Sequence, residues 1–235
     1  MRALRLTPAI LLALTACGGQ QETSPRRSDG APLLGVLAAP AAPAMRDLRT
    51  GRLPEARAQL EEALAKDPDE IAALNDLAVS YSMEERFDAA RHLLEEVLAR
   101  GGPREQQAAL VNLSELYALD GYLSAALAHL ASAKTIDPGR PEPLYGLALL
   151  ADAQGDRAGS RAALREALEA DRGGVARREL AFLYTEERLH LEALLAEASG
   201  DVATAGSRWR ELVRGRFPLL VQTGQRHLEE IERAP

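Results

Sequence analysis

The chain has 235 residues, of which 46% are hydrophobic and 4% aromatic, and it carries a formal net charge of −7 with a pI near 5.3. This hydrophobic content can form a buried core in one or two domains. The acidic balance argues against nucleic-acid binding, because the sequence lacks a basic stripe that could replace phosphate counterions. Alanine and leucine dominate, which favours closely packed helices, and we expect an all-α fold.

Residues 1–16 have the pattern of an export signal. Arg2 and Arg5 precede an apolar run that is too short to span a bilayer, and two small residues follow it. The segment Leu-Thr-Ala-Cys at 14–17 resembles the bacterial lipoprotein box, in which the cysteine is acylated and the signal is cut just before it. The resemblance implies that Cys17, the single cysteine of the chain, is a lipid anchor. The alternative is ordinary signal cleavage nearby, which would leave an unpaired thiol in an oxidising compartment.

Residues 17–43 comprise Cys17, whose lipidation the resemblance implies, and an expected flexible tether, since they are dense in Gly, Pro, Ser and Ala. Gly18 stands where many inner-membrane lipoproteins have aspartate, so the resemblance implies the periplasmic side of the outer membrane. Residues 33–37 are too apolar for a pure spacer. We expect this stretch to dock on the body of the protein as an N-terminal cover, and a partner-binding site is the alternative.

From about residue 44 the chain repeats itself. Turn residues stand at positions 51, 85, 121 and 155, in steps of 34, 36 and 34 residues. A small residue follows each turn by five positions and a leucine by nine. These residues are Ala56, Ala90, Ala126 and Ser160, and Leu60, Leu94, Leu130 and Leu164. Small residues permit two helices to cross closely and leucines fill the space beside them, so the pattern predicts a series of helix hairpins.

This frame resembles the tetratricopeptide repeat, a 34-residue helix-turn-helix unit. The resemblance implies a right-handed helical solenoid over residues 44–235. Its units cover about 44–70, 71–104, 105–140 and 141–174, then an extended unit at 175–215 and a capping helix at 217–233. Glu85 departs from the frame, because it replaces the turn glycine.

The fifth unit is longer than the others. Gly200 follows Gly155 by 45 residues, an excess of 11 over the repeat. Eleven residues are about three helical turns, so the insertion preserves the buried face. We expect one long helix from about 175 to 199, and the alternative is two short helices broken near Glu186-Glu187. Trp209 is expected to fill the core of the last hairpin.

Catalytic and metal-binding patterns are missing from the sequence. The four histidines, at positions 92, 129, 190 and 227, lie on separate predicted helices, and we expect them at the surface or its boundary. No phosphate-binding glycine loop or nucleophile elbow follows a strand. The sequence therefore indicates a protein that is not an enzyme and has no cofactor, metal or small-molecule substrate.

The resemblance also implies a concave groove, lined by the first helix of each unit, that binds a protein or peptide partner. The candidate groove positions are Asn75, Val79, Met83, Val111, Glu115, Leu119, Tyr145 and Leu149. Most are small or apolar, so an apolar segment is the expected guest. The alternative is that some of these side chains only pack against neighbouring helices.

A lipoprotein box followed by helical repeats is similar in plan to the pilotins of type IV pilus secretins. This similarity implies a membrane-anchored interaction scaffold or adaptor of the bacterial cell envelope, which assists the assembly or localisation of an outer-membrane complex. The alternative is an accessory regulator of a cell-wall enzyme.

Overall fold

A computed structural model of the chain describes residues 35–38 and 43–233. The export signal, Cys17 and most of the tether lie outside the described residues. Twelve helices follow one another in the described part: α1 (Pro43–Arg49), α2 (Leu53–Lys66), α3 (Ile71–Met83), α4 (Phe87–Arg100), α5 (Pro103–Leu119), α6 (Leu123–Ile136), α7 (Glu142–Ala153), α8 (Arg157–Ala170), α9 (Val175–Glu179), α10 (Thr185–Ser199), α11 (Val202–Leu212) and α12 (Pro218–Arg233). Within these ranges, none of the helices combines the length and the apolar character that a membrane span requires.

The turns between paired helices have the left-handed backbone that the glycine spacing predicts. Gly51, Gly121 and Gly155 have φ values of 75°, 83° and 85°. Glu85 occupies the equivalent turn with φ of 58°, although a side chain makes this conformation costly. The turn geometry is therefore repeated even where the glycine is not.

The hairpins pack through the residues that the repeat pattern selects. Ala90 and Ala126 are fully buried where two helices cross, and Leu94 and Leu130 are fully buried beside them. Consecutive helices from α1 to α8 contact one another in sequence order. The predicted all-α solenoid of tetratricopeptide type is thus confirmed.

The expectation of one long helix from about 175 to 199 is wrong. The chain forms the short helix α9, an extended stretch over residues 180–184 and then α10. Ala181 exchanges two backbone hydrogen bonds with Gly35, which takes polar groups that a continuous helix would use internally. The break lies before Glu187, whose carboxyl group accepts a hydrogen bond of 2.7 Å from the Tyr184 amide and so caps α10.

The C-terminal helices fold back onto the first helices of earlier units. Glu187 at the start of α10 contacts Glu115 of α5, and His190 one turn later contacts Asp152 of α7. Helix α12 packs on α7 and α11, as expected for a cap. Trp209 of α11 is completely buried in this region, which confirms its predicted place in the core.

Candidate functional site

The candidate groove residues line one face of the three first helices α3, α5 and α7, which we call the inner face. Asn75, Val79 and Met83 lie on α3; Val111, Glu115 and Leu119 lie on α5; and Tyr145 and Leu149 lie on α7. All except Met83, which is partly exposed, are buried. Other parts of the same chain therefore cover the inner face.

A short extended segment, residues 35–38, crosses α3 and α5 on this face; we call it the strap. The Val36 amide donates to Asn112 Oδ1 at 2.6 Å, and the Val36 carbonyl accepts from Asn112 Nδ2 at 2.9 Å. The same carbonyl accepts from Asn75 Nδ2 at 3.1 Å, and the Ala38 amide donates to Asp76 Oδ1 at 2.8 Å. Two amides and a carboxyl group thus bind the backbone of the strap.

The opposite edge of the strap pairs with the break between α9 and α10. The Gly35 amide donates to the Ala181 carbonyl at 2.8 Å, and the Ala181 amide donates to the Gly35 carbonyl at 3.1 Å. We call Asn75, Asp76, Asn112 and Ala181 the backbone seat. The seat holds the strap on both edges, as a strand is held between two neighbours in a sheet.

The strap also buries its side chains. Val36, Leu37 and Ala38 are each only 3–4% exposed. Leu37 belongs to the apolar cluster around Met45, Leu48, Leu77 and Val79, whereas Val36 and Ala38 join the main core. The predicted docking of an N-terminal cover is therefore confirmed for residues 35–37, whereas positions 33 and 34 lie outside the described residues.

A buried pair of carboxyl groups closes the inner face beside the seat. Glu115 and Glu187 are at most 2% exposed and contact each other. Burial raises the pKa of Glu115 to about 8, and burial together with the neighbouring Glu115 raises the pKa of Glu187 well above its usual value. Burial in the contact between α5 and α10 therefore disfavours the charged form of both carboxyl groups.

Tyr145 is placed away from the seat by its hydrogen bond. Its hydroxyl donates to Asp171 Oδ2 at 2.9 Å, and burial raises its pKa to about 12. Asp171 also accepts hydrogen bonds from the amides of Ala176 and Arg177 in the first turn of α9. The structure therefore brings Asn75 and Val111 to the strap, whereas the Tyr145 hydroxyl serves the joint between α8 and α9.

The expectation of surface or boundary histidines is wrong for His190 and His227, which are each 1% exposed. His190 Nε2 lies 2.8 Å from Asp152 Oδ2, and His227 Nε2 lies 3.0 Å from both Asp152 oxygens. His227 Nδ1 contacts Glu197 Oε1, which also accepts from Trp209 Nε1 at 2.7 Å. The sequence offered no spacing signal for this network, because its members lie on α7, α10, α11 and α12.

Hydrogen bonds between carboxyl groups and imidazole rings hold this network together. Burial raises the pKa of Asp152, but the hydrogen bonds from His190 and His227 outweigh it, and the pKa falls well below its usual value. Burial lowers the pKa of His227, but hydrogen bonds to Asp152 and Glu197 outweigh it, and the pKa is raised. The network borders a cleft of about 850 Å³ between α8 and the last helices. Its groups pair with one another, so the arrangement ties α12 to α7 and α10.

Metal binding has no structural support in the described ranges, where no group of three or more His, Cys, Asp or Glu side chains is placed to hold an ion. The polar groups of the seat are amides and a carboxyl group that bind backbone atoms. These groups are therefore suited to binding the backbone of an extended chain.

Comparison with known proteins supports the repeat assignment. A family model described as Tetratricopeptide repeat matches residues 47–113, from α1 into α5. No curated protein matches the chain. Repeats of this kind typically form non-catalytic scaffolds for protein–protein interaction, which is the class of protein that the fold indicates.

Proposed function

We propose that the chain is a lipid-anchored adaptor of the bacterial cell envelope that binds a protein partner on the inner face of its repeats. The observation that carries the proposal is the backbone seat, which holds an extended segment by its amide and carbonyl groups. Helical repeats that bind an extended chain are suited to joining two proteins.

The lipid anchor is supported by the N-terminal sequence. Cys17 ends a short signal with the lipoprotein-box pattern, and residues 18–34 separate it from the strap. Stable anchoring requires more than one acyl chain, which is what the lipoprotein resemblance implies for Cys17. Gly18 favours the outer membrane, where the pilotin-like plan suggests assistance in assembling or localising a complex such as a type IV pilus secretin.

Fractionation tests the anchor. In cells fed labelled palmitate, the wild-type chain should carry label and sediment with the outer membrane, whereas Cys17→Ser should carry none and move to the soluble periplasm. The matched control is Ser132→Cys made in the Cys17→Ser variant. Ser132 is exposed on α6, and a cysteine there lacks the lipoprotein box, so it should not restore the label. Label on the Cys17→Ser variant, or unchanged sedimentation, would overturn this part of the proposal.

Site-specific crosslinking tests the partner. A photo-crosslinking residue at Met83, the partly exposed member of the inner face, should capture one outer-membrane protein reproducibly. The same residue at Glu62, which is exposed on α2, should not capture it. Capture of a cell-wall enzyme whose turnover changes on adding the purified protein would support the accessory regulator instead. Equal capture from both positions would contradict binding on the inner face.

A further inference from the structure

We propose that the backbone seat is the partner-binding surface. The strap occupies the seat while no partner is bound, and a partner segment of similar chemistry displaces it. The partner segment is extended and has the pattern small–Val–Leu–small, with no acidic side chain. This inference rests on the proposed adaptor function and specifies the partner of the same inner face.

The seat can exchange occupants because it binds atoms that every residue has. Its four side-chain contacts reach only the amide and carbonyl of Val36 and the amide of Ala38. Its remaining contacts are the two backbone bonds between Gly35 and Ala181. An extended segment from another protein can make all six bonds, provided that no proline removes a required amide.

The seat is also preorganised. Asn112 Nδ2 donates to Asn75 Oδ1 at 3.0 Å, and Asn75 Nδ2 donates to Asp76 Oδ1 at 2.9 Å. This chain of side chains runs between α5 and α3, which two successive repeats hold rigidly. A preorganised site loses little conformational entropy when its occupant changes.

The packing around the strap defines the side chains that fit. Leu37 fills a place among Met45, Leu48 and Val79, so the equivalent partner residue must be apolar and of similar size. A Cβ added at Gly35 would lie 3.5 Å from both the Ala181 carbonyl and Val79 Cγ1, so alanine also fits there. The Ala38 amide donates a hydrogen bond to Asp76 Oδ1, and an acidic partner residue beside that carboxyl group would be disfavoured.

Tethering explains how the strap can hold the seat without blocking it permanently. An occupant on the same chain acts at an effective concentration in the millimolar range, which excludes weak competitors. A partner confined to the same membrane reaches a comparable local concentration and can compete. The strap would thus exclude chance apolar segments and yield to a partner that is held nearby.

Peptide binding to the purified full chain carrying Cys17→Ser tests the inference. The probe is a fluorescein-labelled peptide with the sequence of residues 32–40, PLLGVLAAP. The open-strap variant adds Val36→Asp and Leu37→Asp, which should release the strap. We expect this variant to bind the peptide at least about 10-fold more tightly than the Cys17→Ser parent, because the tethered competitor is gone.

Three controls give the result its meaning. A peptide with aspartate at the positions of Val36 and Leu37 should not bind, and Asn112→Ala in the open-strap variant should weaken binding at least about 10-fold by removing backbone contacts. Val202→Asp changes a valine that is 58% exposed on α11, and it should leave the parent's weak binding unchanged. If the double substitution prevents folding, as judged by circular dichroism, Leu37→Ala is compared by the same criteria.

A folded open-strap variant that fails to bind the peptide, or binds it no more tightly than the parent, would overturn the inference. That result would leave the adaptor proposal standing, because labelling of Cys17 and crosslinking from Met83 test it independently. Conversely, tight peptide binding together with an unlabelled Cys17 would preserve the seat and reject the lipid anchor.

Discussion

The regular hairpins α2–α8 and the C-terminal unit α9–α12 bury different kinds of side chain. In the hairpins, alanines and leucines such as Ala90, Leu94 and Leu130 fill the interfaces by shape alone. In the C-terminal unit, Trp209 and His227 take the same role and depend on carboxyl partners. The difference indicates that the repeat frame specifies close packing, whereas docking outside the frame relies on hydrogen bonds and charge.

Removing Trp209, the largest side chain of the C-terminal unit, should cause the largest loss of stability and should locate that loss in this unit. Trp209 stacks on His227 with ring centroids 3.8 Å apart and donates to Glu197. We expect Trp209→Ala to lower the free energy of unfolding by about 3–5 kcal/mol, because it leaves a cavity and removes the hydrogen bond to Glu197. Urea unfolding measures the loss, and hydrogen exchange should place it in α10–α12.

Leu94→Ala is the matched control in the regular hairpins, since Leu94 of α4 is also fully buried. This substitution should lower the free energy of unfolding by about 2–5 kcal/mol, and the increase in hydrogen exchange should be confined to α3–α6. Uniform exchange over the whole chain in both variants would contradict a division into two energetically distinct regions.

Replacing Glu115, which contacts the C-terminal unit through Glu187, should change how the free energy of unfolding depends on pH. The folded pKa of Glu115 is about 8, above the ordinary value of 4.5, so the folded chain holds a proton that the unfolded chain releases. The stability that depends on this proton is lost as pH rises from about 4.5 to 8. Glu115→Gln cannot lose a proton and also lowers the pKa of Glu187. We expect its unfolding free energy relative to wild type to increase by at least about 1 kcal/mol between pH 5 and 8.

His227 also contributes stability that is lost as pH rises. Its raised pKa gives stability below pH 6.5 that disappears as pH rises through the folded value, and it acts equally in wild type and Glu115→Gln. Glu61→Gln, on the exposed face of α2, should reproduce the wild-type pH dependence. A Glu115→Gln curve parallel to wild type would argue against a buried, protonated pair.

The smallest effect concerns the turn that lacks its glycine. Glu85 has φ of 58°, so Glu85→Gly relieves an unfavourable backbone conformation but also removes a contact of 3.3 Å to the Tyr184 hydroxyl. We expect a net gain of about 0.5–1 kcal/mol, because exposed contacts contribute little. Thermal unfolding measures the shift.

Gly121→Ala is the reciprocal change at the next turn, where φ is 83°. It should lower stability by about 1 kcal/mol, since alanine enters the left-handed region with strain. A loss of stability in Glu85→Gly would mean that the contact from Glu85 to the C-terminal unit outweighs the strain, and would weaken the separation of the two regions.

The candidate site was predictable in part. The repeat register identified Asn75 and Val111 as inner-face residues, and the composition of residues 33–37 predicted that this stretch docks. The register did not identify Asn112, the main ligand of the strap, because it lies one position beyond the expected one. Recognition of the strap depends on which side-chain amide reaches the backbone of Val36. The rotation of α5 about its axis determines that this is Asn112.

The sequence by itself determined the helices, the hairpins and the residues that fill them, because those contacts join positions within one repeat and recur with its period. Only the tertiary structure decided the break at 180–184, the strap in its seat and the buried histidines. The contact from Val36 to Asn112 spans 76 positions, and that from Asp152 to His227 spans 75. Such contacts follow no local period, since they depend on where the packed helices carry each side chain.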